Sequence, residues 1–175
     1  MDEIIPFGSG EYFVLLALLV FTRGMDFLST WVATPHLVLE GNPIAKWLGW
    51  KWGALLNLVV CALCAVAPLP AVIISTTSLL VAARNFQGAW LMRIMGEHQY
   101  RHWMSERLTN GRRGLFIACL VAQSVLVALI GVALIWFGGG LLIPVGVGYG
   151  LLVYAFAVLF YSLLSLVYRR FRSES

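Results

Sequence analysis

Five long apolar segments alternate with short polar segments along the chain. They predict helices at about 11–34, 43–67, 71–95, 114–137 and 141–168. About 20 apolar residues of helix are enough to cross the hydrocarbon core of a bilayer, so each segment is long enough to span it. We therefore predict an all-α polytopic membrane protein, a bundle of about five transmembrane helices that forms a single integral membrane domain over residues 1–175.

Helix-breaking residues stand between the apolar segments. Pro35 ends the first segment, and Asn42 precedes Pro43 at the second, where an N-cap residue followed by a first-turn proline is favourable. The two prolines within 68–70 predict a tight turn before the third helix. Three consecutive glycines at 138–140 predict a hairpin between the last two helices. The breaks therefore support the same five spans.

The composition excludes a water-soluble domain. The chain has 61% hydrophobic and 11% charged residues, whereas soluble domains have roughly half and a quarter. Its net charge of +4 does not indicate binding to nucleic acid, because the basic residues lie mostly at the ends of the predicted spans. The basic residues instead indicate how the chain is oriented in the membrane.

Lys and Arg alternate from one connection to the next. Their numbers from the N-terminus to the C-terminus are 0, 2, 0, 5, 0 and 3. Because cytoplasmic connections are enriched in these residues, we predict that the N-terminus lies outside and the C-terminus in the cytoplasm of a prokaryotic cell, with the protein in the cytoplasmic membrane. The basic segments at 97–107 and 169–172 are predicted to bind anionic headgroups at the cytoplasmic face.

A few polar residues interrupt the predicted spans. Asp26 and Thr30 are four residues apart, which places them on one face of the first helix. Arg84, in the third helix, lies at a similar depth, and Arg23 lies on the same side as Asp26. The sequence leaves open which arginine pairs with Asp26. Ionisable groups within a span usually face the interior of the bundle and mark a functional site.

The connection between the first two helices carries Glu40 and Asn42, at the predicted cytoplasmic end of the second helix. With Asp26 and Thr30 they form an all-oxygen ligand set, which suits hard cations such as Na⁺, Mg²⁺ or Ca²⁺. We predict Asp26 and Glu40 as metal ligands. The alternative is structural, in which Asp26 neutralises an arginine and Asn42 only caps a helix. Three further polar residues are predicted to complete the site as outer ligands or counter-charges: Asn57, Arg84 and Asn85.

The spacing of these residues resembles a known signature. Asp26-x-x-x-Thr30 followed by Glu40-x-Asn42-Pro43 is similar to the pattern of the DUF5658 family, small prokaryotic integral membrane proteins of unknown function. The resemblance covers the first two predicted helices, roughly 12–60. It implies a compact helical membrane protein in which the polar residues act together, and it implies no particular activity.

Cysteine and histidine patterns offer other chemistry. Cys61 and Cys64 have the spacing of the membrane dithiols that pass electrons to quinones in proteins of the vitamin K epoxide reductase type, but Cys119 is the only further thiol. Apolar packing of the two thiols is therefore favoured.

His98 and His102 would form half of a zinc site on a helix. The missing third ligand favours a segment that lies on the headgroups instead.

The leading hypothesis is that the polar site opens to the cytoplasmic side and binds or conducts a small cation, because the oxygen ligands are not accompanied by a nucleophile or cofactor motif. A second hypothesis is a membrane enzyme that acts on a phosphorylated lipid with a divalent metal held by Asp26 and Glu40. A third is a structural or partner-binding membrane protein that has no ligand. The sequence also leaves open a homo-oligomer, since the glycines at 146, 148 and 150 suit close packing either within one chain or between two.

Overall fold

The computed structural model describes residues 4–110 and 113–173, and within these ranges the chain is all-helical. The helices are α1 (Gly10–Ala33), α2 (Pro43–Cys64), α3 (Pro68–Met95), α4 (Glu97–Asn110), α5 (Arg113–Phe137) and α6 (Leu142–Ser173). Five of these six helices, all except α4, are long and apolar enough to cross a membrane. The predicted all-α architecture is confirmed, and the five spans support a multi-pass integral membrane protein.

Side-chain caps mark the starts of α1 and α2, and a first-turn proline marks the start of α3. The Ser9 hydroxyl oxygen accepts a hydrogen bond from the backbone N–H of Tyr12 at 3.2 Å, at the start of α1. The Asn42 side-chain oxygen accepts one from the backbone N–H of Ile44 at 2.9 Å, at the start of α2. Pro68 occupies the first turn of α3, where a missing N–H costs nothing. Prolines 68 and 70 therefore lie inside the helix, although they were predicted to form the turn before it.

Helix α2 and the segment after α3 differ most from the prediction. Helix α2 is broken at Gly49, whose backbone has φ 63° and ψ −171°, and it ends at Cys64 rather than continuing to about residue 67. Glycine adopts this positive φ without a steric penalty, so the helix can break here without any change in the apolar pattern. The break is therefore not visible in the sequence. The polar segment predicted to connect the third and fourth spans contains a separate helix, α4, which begins directly after Gly96.

The helices form a chain of packed neighbours. Helix α1 packs mainly on α3, α3 packs on α6, and α6 packs on α5. Helix α2 contacts α1 and α3 but is not packed extensively on α6. A cluster of buried apolar residues joins the beginning of α1, the end of α2 and the beginning of α3: Tyr12, Leu19, Cys61, Ala65 and Ala71 with Ile5. Helix α2 is therefore a peripheral helix, anchored firmly at one end.

Glycines bring α6 close to two other helices. A Cβ atom on Gly148 would lie 2.7 Å from the carbonyl oxygen of Gly131 in α5, and a Cβ on Gly131 would lie 2.7 Å from the carbonyl oxygen of Gly148. On the other side of α6, a Cβ on Gly150 would lie 2.6 Å from Cβ of Thr76 in α3. These glycines are thus used for packing within one chain, and a homo-oligomer remains a prediction.

We expect Gly148→Ala to lower stability by about 1–3 kcal/mol, because the added methyl group overpacks the contact between α5 and α6. Gly24→Ala is the matched control, since a Cβ there has no neighbour within 4 Å and alanine favours the helix. The check is the thermal unfolding midpoint of each protein in detergent. Equal midpoints for Gly148→Ala and the wild type would contradict the close approach of α5 and α6.

Candidate functional site

A partly open cavity of about 560 Å³ lies between α1, α2, α3 and α6. Its volume is in the usual range for small-molecule sites. Part of its wall is apolar and includes Phe27, Leu56, Val81 and Val158. The polar part contains all seven residues selected from the sequence: Asp26, Thr30, Glu40, Asn42, Asn57, Arg84 and Asn85. The fold thus gathers these residues around one cavity, while their action as ligands stays a prediction.

Arg23 forms the polar centre of this wall. Its Nη1 atom makes an ion pair with Oδ2 of Asp26 at 3.0 Å. Its Nε atom donates to Oδ1 of Asn57 in α2 at 2.8 Å, and its Nη2 donates to the same oxygen. Nη1 also donates to the Ser78 hydroxyl in α3 at 3.2 Å. Arg23 is therefore the partner of Asp26, which settles the pairing that the sequence left open, and its side chain cross-links three helices.

The residues one turn beyond Asp26 connect α1 to α3. The hydroxyl groups of Ser29 and Thr30 donate to the backbone carbonyl of Asp26 at 2.8 and 3.0 Å. Both hydroxyl oxygens also accept a hydrogen bond from the side-chain amide of Asn85, each at 3.2 Å. Thr30 and Asn85 thus have partners within the protein, and their contact contributes to the packing of α1 on α3.

Glu40 and Asn42 organise the start of α2. The backbone N–H of Asn42 donates to Oε1 of Glu40 at 2.8 Å. The side chain of Asn42 in turn caps the helix through Ile44. Both residues line the cavity, but these contacts correspond to the structural alternative that the sequence offered for Asn42. A cation bound here would have to compete with contacts that the two side chains already make.

Arg84 is a charged residue of the cavity wall that forms no ion pair with the described residues. Its Nη1 atom is buried and has no hydrogen-bond partner among the described residues. No carboxylate in residues 4–110 or 113–173 forms an ion pair with it, and Asp26 pairs with Arg23 instead. A positive charge at this depth is costly without a partner. The cavity therefore presents one buried, unpaired guanidinium N–H group beside an apolar wall.

The most extensively bonded carboxylate of the described chain is Glu97, which the sequence analysis missed as a functional residue. It is 8% exposed, at the first turn of α4. It accepts hydrogen bonds from the Thr34 hydroxyl at 2.5 Å and from the backbone N–H groups of His36 and Val38 at 2.9 Å. The His36 ring lies 2.9 Å from the same carboxylate. Only the tertiary structure brings these groups together, because some 60 residues separate them.

The other sequence patterns do not converge on a site. Among the described residues, no three His, Cys, Asp or Glu side chains lie close enough together to hold a metal ion. His98 and His102 lie on an exposed side of α4. Cys61 is buried in the apolar cluster, and Cys64 packs against that cluster.

No family model, curated protein or solved structure matches the chain significantly. The resemblance of the first two helices to the DUF5658 pattern therefore stays a prediction.

The carboxyl group of Glu97 is outside the spans, and its pKa is strongly shifted. Burial alone would raise the pKa, but the hydrogen bonds from Thr34, His36 and Val38 outweigh this effect and lower it from 4.5 to about 2. Because the pKa is lower in the folded protein, Glu97 stabilises the fold above about pH 4.5. This contribution is lost as the pH falls from about 4.5 to about 2.

We expect the wild type to have a higher thermal unfolding midpoint than Glu97→Gln near neutral pH, and the difference to shrink below about pH 4.5. The titratable group in contact with Glu97 is the His36 ring, and Arg101, one turn later on α4, contacts the Val38 carbonyl. Repeating the comparison in a His36→Ala background, which keeps the backbone N–H, separates the imidazole titration from that of the carboxyl group. Glu106→Gln, exposed on the same helix, is the control. A difference that does not change with pH would contradict the assignment.

Proposed function

We propose that the cavity binds the anionic headgroup of a membrane amphiphile, with Arg84 as the group that pairs with the anion. The observation that carries this proposal is the buried Nη1 atom of Arg84, which faces no acceptor among the described residues. A guanidinium group pairs well with phosphate or carboxylate, because its N–H groups match two oxygens of the anion. An anionic ligand would compensate the charge that the protein leaves unpaired.

The shape of the cavity supports a ligand that has an apolar part. Helices α2 and α6 both line the cavity, yet they are not packed extensively on each other. Because both helices are apolar spans, a gap between them would open toward the surrounding lipid. Apolar side chains such as Leu56 and Val158 lie on the two sides of this gap. An amphiphile could place its headgroup at Arg84 and leave its chains in the bilayer.

The contacts of Asp26 argue against the cation hypothesis. Its negative charge is compensated by Arg23 at 3.0 Å, so it offers little net charge to a cation. Glu40 is the other carboxylate on the wall, and Arg84 adds a positive charge. With two arginines and two carboxylates, one pair already formed, the wall has no excess of negative charge for Na⁺, Mg²⁺ or Ca²⁺.

The orientation of the chain belongs to the same proposal. The alternation of Lys and Arg supports an N-terminus outside and a C-terminus in the cytoplasm, in the cytoplasmic membrane of a prokaryote. In this orientation the connection between α1 and α2 and helix α4 face the cytoplasm. Basic residues of α4, such as Arg107, would then contact anionic headgroups at that face.

We expect purified wild-type protein to bind phosphatidylglycerol about ten-fold more tightly than phosphatidylcholine, because both lipids carry a phosphate but the choline cation offsets its charge; ten-fold corresponds to about 1.4 kcal/mol. Arg84→Gln should lose this preference, and Arg84→Lys should keep part of it. Arg93→Gln is the matched control, because Arg93 is on the same helix but lies over the Trp31 ring, 5.6 Å from its centroid, outside the cavity. Native mass spectrometry with competing lipids measures these ratios.

Two further arms decide between ligand classes. Glycerol phosphate carries the anionic headgroup without chains, and we expect it to compete poorly. Strong competition would show that the ligand is a soluble anion rather than an amphiphile.

A panel of Na⁺, Mg²⁺ and Ca²⁺ tests the cation hypothesis through the thermal unfolding midpoint. If one cation raises the midpoint and both Asp26→Asn and Glu40→Gln abolish the effect, the site binds a cation and the anion proposal is overturned.

A further inference from the structure

The connection between α1 and α2, residues 34–42, covers one end of the cavity. Six of its residues line the cavity: Thr34, Leu37, Leu39, Glu40, Gly41 and Asn42. The connection contains no helix, and Leu37 has a positive φ of 56°. Such a conformation is unfavourable for a residue with a Cβ atom, which lies too close to the following carbonyl oxygen, and it persists only when surrounding contacts hold it. The contacts that hold it therefore decide whether this end of the cavity is covered.

Helix α4 supplies most of those contacts. The Glu97 carboxylate accepts from the Thr34 hydroxyl and from the backbone N–H groups of His36 and Val38. One helical turn later, Arg101 donates to the backbone carbonyl of Val38. A single carboxylate thus satisfies two backbone donors and one hydroxyl in a segment that has few hydrogen bonds of its own. Charge-assisted contacts of this kind are stronger than those between neutral groups.

The connection also makes hydrogen bonds of its own: the backbone N–H of Leu37 donates to the Thr34 carbonyl at 2.9 Å, and that of Leu39 donates to the Thr34 hydroxyl oxygen at 3.0 Å. A further contact comes from α2. The Trp50 indole N–H donates to the carbonyl of Pro35 at 2.8 Å. Trp50 follows the break at Gly49, so this contact positions the first residues of the connection and leaves the middle of the segment to α4. Without Glu97, the two backbone donors and the hydroxyl at 34–38 would lose their acceptor.

Helix α4 is joined to α3 through Gly96, which has a φ of 79°. Its main contacts with the other helices are with α3 and α5. A rotation at Gly96 would carry Glu97 and Arg101 together. The hydrogen bonds that Glu97 and Arg101 make with the α1–α2 connection would then be lost together.

We infer that Glu97 is a positioning residue that holds the α1–α2 connection over the cavity, so that α4 controls access from the aqueous phase. Glu97 does not touch the proposed ligand position and acts through the connection. The link to ligand exchange depends on the proposed function, but the closure of the cavity does not. Loss of Glu97 should open this end of the cavity to water-soluble molecules and leave the core of the bundle unchanged.

The test measures how fast a water-soluble maleimide labels a cysteine beneath the connection. Ala33 is suitable, because it lines the cavity and is 5% exposed at the end of α1. Ala33→Cys is placed in a protein whose three native cysteines are replaced by alanine. We expect Glu97→Gln to speed labelling about ten-fold, as the loss of charge-assisted hydrogen bonds in the closed state implies. Glu106→Gln should leave the rate unchanged.

The labelling rate of native Cys61 distinguishes local opening of the cavity from unfolding of the bundle. It is 1% exposed in the apolar cluster, and a protein that retains it as the sole cysteine reports loss of the core. We expect Glu97→Gln to speed its labelling by a much smaller factor than labelling at position 33, because only global unfolding exposes Cys61. Thr34→Val, which removes one hydrogen bond, should speed labelling at position 33 by a smaller factor. Equal rates at position 33, or equal increases at positions 33 and 61, would overturn the inference.

The outcome is independent of the lipid experiment. If Glu97→Gln opens the cavity while Arg84→Gln leaves the lipid preference unchanged, the closure stands and the proposed function fails. If Arg84→Gln abolishes the lipid preference while Glu97→Gln leaves labelling unchanged, the proposed function stands and the closure fails.

Discussion

Charge compensation within the membrane determines how the first three helices are arranged. Arg23 lies inside a span, where an unpaired cation would cost several kcal/mol. Its guanidinium group meets Asp26, Asn57 and Ser78, one group from each of the first three helices. Helix α2 is held at mid-depth by this polar contact. The charge of Asp26 is compensated in the same contact, so Arg84 remains as the cation that faces the cavity.

The opposite side of the bundle is held by close packing of backbones. Gly131 and Gly148 allow α5 and α6 to approach each other, and Gly150 allows α6 to approach α3. In a bilayer, where the hydrophobic effect does not drive helices together, such contacts supply much of the association. Helix α6 is therefore packed on α3 and α5. Since α2 is held only to α1 and α3, a space remains between α2 and α6, and this space is the cavity.

The end of the cavity that residues 34–42 cover depends on a different constraint. Backbone N–H groups in this connection need hydrogen-bond acceptors. A short connection such as residues 34–42 cannot satisfy all of its own donors. Glu97 provides the acceptor from a helix that lies outside the spans. One side of the cavity is thus lined by helices that the Arg23 contacts hold together, and the other by α6, which glycine packing holds on α3 and α5. The α1–α2 connection, held by the Glu97 carboxylate, covers one end.

Much of the candidate site is visible in the sequence, because polar residues in a span must face the bundle interior. Asp26, Thr30, Arg84 and Asn85 could be selected for this reason, and all four line the cavity. Glu97 could not be selected, since a carboxylate in a polar segment has no such constraint. The break at Gly49 was also hidden, because glycine is permitted in an uninterrupted span as well.

The sequence by itself determined the number of spans, the positions of most helix ends and the set of polar residues in the membrane. These features depend on local hydrophobicity and on capping, which act over a few residues. Only the tertiary structure decided that Asp26 pairs with Arg23, that Arg84 stays unpaired and that Glu97 holds the α1–α2 connection. These contacts depend on how helices rotate and approach one another, and residues far apart in the chain set that geometry.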